Sequence, residues 1–96
     1  MTIALKMNKD MDAMTMADMR DVFDDLANAN ENVMLDLADV SFIDSSGIGG
    51  LVFLYKRLFA RGYRLQLTAV GGQPLRLLSH LRMDELIAKG SEAIAA

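Results

Sequence analysis

Two adjacent hydroxyls behind a carboxylate, in Asp44-Ser45-Ser46-Gly47-Ile48-Gly49-Gly50, are the residues of this chain whose types and spacing best suit chemistry. The chemistry they suit is the gain and loss of a phosphoryl group. Upstream lies Val33-Met34-Leu35-Asp36-Leu37, a short apolar run of the kind that fills a buried strand, and Val40 and Phe42 are expected to continue its apolar contacts. From Ile48 the period changes: Ile48, Leu51, Val52, Tyr55, Leu58 and Phe59 recur at the spacing that gathers side chains on one helix face. At such a strand-to-helix turn the first backbone N–H groups lack intrahelical partners and the helix dipole is positive. Ser45 or Ser46 can therefore cap the helix, and a phosphoryl group is favoured there too. Gly47 and Gly49, poor helix formers in mid-helix, here remove bulk and let another backbone, or a nucleotide held by another protein, come close.

Val40-Ser41-Phe42-Ile43-Asp44-Ser45-Ser46-Gly47-Ile48-Gly49 closely resembles the signature of STAS-domain anti-sigma factor antagonists, small bacterial proteins of partner-switching systems. The resemblance implies that Ser45, directly after the aspartate, is the phosphoacceptor. It implies as partners an anti-sigma factor that is also a GHKL-type serine kinase, and a PP2C-like phosphatase that restores the hydroxyl. Unphosphorylated antagonist binds the kinase and frees its other target. Asp10-Met11-Asp12-Ala13-Met14-Thr15 is similar to the family's acidic turn before the first helix, with Asp12 in the place of an aspartate that shapes the partner-binding surface. Gly72-Gln73-Pro74-Leu75 to Leu86-Ile87 resembles its last helix and closing strand. Lys9 stands where the family usually has glycine, and one short strand, Ile3 to Met7, fits where the family often has a hairpin.

Ninety-six residues make one domain, spanning 1–96, with residues 88–96 expected to end in a helical turn or a frayed tail. No apolar run approaches the roughly 20 residues needed to cross a bilayer, so direct membrane insertion is not expected. The N-terminus lacks the pattern of a signal peptide, which gives an expectation of a soluble, cytoplasmic protein. The absence of cysteine excludes disulfides and thiolate metal sites. A net charge of −3 argues against nucleic acid as a main partner. Lys56, Arg57, Arg61 and Arg64 form a local basic group, read as a solvated helix end whose cations suit the negative end of the dipole.

Ile3, Leu5 and Met7 alternate with Ala4 and Lys6 as in a half-exposed edge strand. From about Thr15 to Ala29 one helix is expected, with Met16, Met19, Val22, Phe23 and Leu26 as its apolar stripe. Met11 and Met14, at or before its start, are better placed for an interface than for the core. Gly62 marks a helix end, and Tyr63, Leu65 and Leu67 alternate with Arg64, Gln66 and Thr68 as a further strand. Pro74 suits the first turn of a last helix whose apolar contacts are Leu75, Leu78 and Leu81, and Leu86-Ile87 is read as a closing strand. Strands alternating with helices in this way specify an α/β domain with a mostly parallel sheet and helices packed on one side.

The residue types at Asp44-Ser45-Ser46-Gly47 are also those of an ordinary capped turn. Ser46 is read as the N-cap hydroxyl, while Asp44 is either a structural turn residue or the group that orients the acceptor hydroxyl in a kinase complex. On a helical wheel Phe53 falls opposite the Ile48/Tyr55/Phe59 stripe, on the outer side with Gly49 and Gly50, which makes an exposed aromatic beside two glycines and a candidate partner pocket. Enzyme motifs fail in detail. Val52 occupies the last glycine position of a dinucleotide fingerprint, no Gly-Lys-Ser/Thr completes a phosphate loop, and Ile43 interrupts a nucleophile elbow. His80 reads as a surface or boundary residue, the first helix's aspartates are spread around its solvent side, and no cofactor or metal is called for. The expected protein is thus a kinase substrate and binding module. Its alternatives are a constitutive subunit of a membrane transport complex, or the same switch acting on a non-sigma output such as biofilm formation or secretion.

Overall fold

The computed structural model describes residues 1–88. Of the tail expected over 88–96, Ala88 is described, its N–H donating to the Leu67 carbonyl at 2.8 Å, and residues 89–96 lie outside the described residues. β1 (Thr2–Lys6), β2 (Asn32–Asp36) and β3 (Leu65–Thr68) form a three-stranded parallel sheet in the order β1-β2-β3. Val33 faces Ile3 on one side and Leu65 on the other, and Leu35 likewise faces Leu5 and Leu67. This register stacks the apolar residues of all three strands on one face of the pleat. The helices cover that face, and Val33, Leu35, Leu65 and Leu67 are buried beneath them. Among the described residues β1 is the only strand ahead of the first helix.

The helix expected over Thr15 to Ala29 is two segments, α1 (Ala13–Asp18) and α2 (Arg20–Asn28), separated at Met19. Hydrogen bonds from Met19 N–H to the Thr15 carbonyl and from Phe23 N–H to the Met19 carbonyl, both 2.9 Å, run across the break. Of the expected stripe, Phe23 and Leu26 are buried, Met16 and Met19 pack against the core, and Val22 is exposed. Ala27 completes the buried face.

α3 (Ser45–Ala60) buries Gly47, Leu51, Leu54 and Leu58. The apolar face is therefore turned from the one expected: Leu54 belongs to it, Ile48, Val52 and Tyr55 are half-buried, and Phe59 is 68% exposed, stacked on Tyr55 at 5.7 Å between ring centres. Apolar residues from Ile48 to Phe59 lie around much of α3, so periodicity alone admits several faces; the small Gly47 lets one of them sit against Met11 and Ile43. The helix ends as expected at Gly62, whose φ of +83° suits glycine. Tyr63 N–H reaches the Leu58 carbonyl and Gly62 N–H the Phe59 carbonyl, closing the last turn.

Two members of the basic group at the end of α3 have a more specific role than a solvated helix end. Arg61 Nη1 donates to the Ala27 carbonyl at 3.4 Å and to Asn28 Oδ1 at 3.2 Å, and Arg57 donates to the same Asn28 oxygen. Arg61 thus serves a carbonyl at the carboxyl end of α2, and Arg57 joins it on the Asn28 side chain.

α4 (Gly72–His80) buries Pro74 and Leu78, whereas Leu75 and Leu81 are exposed, contrary to expectation, and His80 is exposed as expected. Leu86 and Ile87 do not form a strand. Asp84–Leu86 is a turn of 3₁₀ helix, after which Ile87 makes a single parallel bridge to Leu67.

Candidate functional site

The site is the connection from β2 to α3, and its backbone is pinned from two sides. On one side lies the turn 10–13. Met11 N–H donates to the Phe42 carbonyl at 3.0 Å and Asp44 N–H to the Met11 carbonyl at 3.2 Å, a one-residue parallel bridge between Met11 and Ile43. Met11 and Ile43 are both fully buried. Met11 is therefore a core residue and not an interface methionine, because the bridge draws it inward; Met14, 77% exposed, stays on the surface. Phe42 points out from the same segment and is 46% exposed, while Val40 is buried.

Two side chains that sequence reasoning did not single out complete this arrangement. Asp10 Oδ1 accepts from Ser41 N–H at 2.8 Å, Ser41 Oγ–H at 3.0 Å and Phe42 N–H at 3.2 Å. From α4, Gln73 Oε1 accepts from Ile43 N–H at 2.8 Å and Gln73 Nε2 donates to the Ile43 carbonyl at 2.9 Å. Both contacts cross about thirty residues of sequence and have no local signature.

The N-cap of α3 is Asp44, with Oδ1 accepting from Ser46 N–H at 2.8 Å and Gly47 N–H at 3.1 Å. Ser46 is thus not the cap. A carboxylate two residues earlier takes the orphan donors of Ser46 and Gly47 and adds charge to the interaction. Asp44 Oδ2 also accepts from Ala13 N–H at 3.2 Å, so one carboxylate ties together the starts of α1 and α3. Asp44 thus has a structural role in the turn.

Ser45 is the first residue of α3 and is exposed, and its hydroxyl has no hydrogen-bond partner among the described residues. Ser46 is half-buried. Asp12 caps α1, its Oδ1 accepting from Thr15 N–H at 2.9 Å. That bond, followed by one from the Thr15 side chain, holds the Asp12 carboxyl below its ordinary value. Asp44 places a carboxylate directly before Ser45, and through Ala13 N–H it ties this turn to the segment that carries Asp12.

The three glycines of the site differ. Gly47 is buried, and a Cβ there would collide with the Met11 carbonyl oxygen and lie 2.7 Å from Ile43 Cγ2. It works beneath the surface by letting α3 sit against Met11. A Cβ on Gly49 would meet open space. At Gly50 it would meet the tip of Met16, with the Phe23 ring 3.5 Å away.

Gly50 forms, with Met16, Phe23 and Phe53, the apolar part of a groove of about 240 Å³ between α2 and α3, also lined by Ser46, Arg20 and Asp24. Phe53 is half-buried in its wall, and Arg57 lies over the ring at 5.5 Å. Phe53, expected to be exposed, is half-buried because it packs into this groove beside Gly50 and Ser46, and Gly49 is not among the lining residues.

Among the described residues no helix is long and apolar enough to cross a membrane. The chain is similar to a candidate anti-sigma factor antagonist, TM1081, from Thermotoga maritima: 27% identity, TM-score 0.80, covering 90% of this chain and 75% of that one. An NMR structure of the protein TM1081 gives a TM-score of 0.66 at 24% identity, over 90% and 70% of the two chains. The fold is also that of a sulfate transporter family protein from Wolinella succinogenes, with a TM-score of 0.73 at 18% identity, over 91% and 71%. No curated protein matches the sequence. The match to the STAS domain runs over residues 2–95, and this chain, with its parallel sheet and helices, belongs to the STAS domain family.

Proposed function

We propose that this protein is an anti-sigma factor antagonist, a binding module that holds a GHKL-type serine kinase and anti-sigma factor while Ser45 is free and releases it when Ser45 is phosphorylated. A PP2C-like phosphatase reverses the modification. One observation carries the proposal. The cap of α3 is supplied by Asp44, so capping accounts for the aspartate and leaves the exposed Ser45 hydroxyl without a structural task. The proposal assigns the protein to the cytoplasm, with no catalysis, cofactor or nucleic acid of its own.

The physical consequence of the modification follows from its place. A phosphate adds roughly −1.5 to −2 charge at pH 7, beside the carboxylates of Asp12 and Asp44. The cap is already occupied by Asp44, so the helix start does not depend on the new group. The switch is therefore electrostatic and steric, with the fold retained: a hydrated dianion at the contact surface keeps an acidic or apolar partner face from closing over it. The partner-binding surface comprises Asp12, Asp44, Ser46, Gly49, Gly50 and Phe53, with Gly47 supporting it from below.

The test is affinity capture from native cells with wild type and Ser45→Asp, with the bound proteins identified. Recovery of a GHKL ATPase by wild type and its loss in the variant is the expected result. A second reading, a standing subunit of a membrane transport complex, is favoured by the fold shared with the Wolinella succinogenes protein. It predicts instead that both forms recover the same transport components.

A further inference from the structure

We propose that Gln73 is a positioning residue for the Ser45 switch: its carboxamide stands in for a missing neighbouring strand and fixes the turn that presents the hydroxyl. The inference rests on the reading of Ser45 given above and adds a residue and an element to it. The argument is one of backbone geometry. The Met11–Ile43 bridge uses the Phe42 carbonyl and the Asp44 N–H, so the N–H and carbonyl of Ile43 itself point the opposite way. Gln73 lies on that side and meets both, at 2.8 Å and 2.9 Å. A primary carboxamide carries a donor and an acceptor side by side, as a peptide group does, and only this orientation of the amide satisfies both groups of Ile43.

The consequence reaches Ser45 in two steps. Ile43 is joined to Asp44, and Asp44 sets the first turn of α3 through Ser46 and Gly47. Gln73 is itself placed by the first turn of α4, where Pro74 is buried and fixes the backbone. The position of α4 is thereby coupled to the position of the acceptor hydroxyl. A glutamate at this site would keep the acceptor for Ile43 N–H but, when ionised, would present an oxygen to the Ile43 carbonyl. When protonated it would regain a donor.

This difference supplies the test: amide hydrogen exchange of residues 43–47, corrected for intrinsic rates, in wild type, Gln73→Leu and Gln73→Glu between about pH 4 and about pH 7. Wild type is expected to keep its protection across this range. Gln73→Leu loses about tenfold of it at every pH, with residues of the central strand unaffected. Gln73→Glu is less protected than wild type at neutral pH and recovers as its carboxyl takes up a proton, and this recovery is what a merely space-filling role would not produce. Protection in Gln73→Glu that is independent of pH would overturn the proposal; the pH profile decides even if Gln73→Leu fails to fold. In native cells, Gln73→Glu is expected to carry less phosphate on Ser45 than wild type at equal abundance. Equal occupancy would overturn the link to the switch. A wild type without phosphate would instead count against the Ser45 reading, while the exchange result would still decide the positioning of the turn.

Discussion

Asp44 Oδ2 accepts a hydrogen bond from Ala13 N–H at 3.2 Å while Oδ1 caps α3, so a single carboxylate joins two helix starts that lie 31 residues apart in sequence. Removing it leaves three backbone donors to find water. Asp44→Ala is expected to lower stability by about 2 kcal/mol, and Asp44→Asn, which keeps one acceptor oxygen, by about 1 kcal/mol. Urea unfolding of the three proteins checks the order. Equal stability of Asp44→Ala and wild type would contradict it.

The glycines make a paired prediction. Gly47→Ala drives a Cβ into the Met11 carbonyl and Ile43, backbone and core that have little room to move, and should cost about 2 kcal/mol. Gly49→Ala meets nothing, lies within α3, and should stabilise by up to about 1 kcal/mol through helix propensity. Thermal unfolding of both variants separates packing from propensity.

Asp12 predicts a pH dependence. Its bonds to Thr15 lower its folded carboxyl value, so its contribution is present above the unfolded value of about 3.9 and is lost as pH falls through the folded value beneath it. Asparagine caps nearly as well and does not titrate. The stability difference between wild type and Asp12→Asn should therefore move against wild type as the solution is acidified through that range. A difference constant with pH would show that the Asp12 bonds do not favour its charged form.

Much of this architecture is legible in the sequence because it is periodic. The run 33–37 and the alternation over 63–68 announce β2 and β3, and Gly62 marks the end of α3. What escaped is long-range. Nothing near Asp10 or Gln73 indicates that each holds the backbone of residues 41–43, since those contacts exist only after the sheet has formed. The same is true of Met11, a lone methionine in a polar turn that is buried by its bridge to Ile43. Ser46 and Asp44 are equally suitable caps by residue type, and the choice between them follows from where residues 11–13 hold the turn. Leu75 and Leu81 have the apolar spacing of core residues yet are exposed, because α4 is short and buries only the narrow side that carries Pro74 and Leu78.

The groove gives a prediction about binding. Phe53→Ala removes the aromatic wall next to Gly50 and the ring under Arg57, and should weaken capture of the kinase partner about tenfold or more while costing about 1 kcal/mol of stability. Binding by calorimetry with the captured partner checks it. Unchanged affinity would remove Phe53 from the proposed surface.

The central claim is that Ser45 is a switch, and intact mass with site mapping on protein from native cells, wild type against Ser45→Ala, tests it most directly. The account predicts one added phosphate on Ser45 in wild type that vanishes in the variant. Wild-type protein without phosphate under every growth condition would contradict it and leave Asp44-Ser45-Ser46-Gly47 as a helix cap.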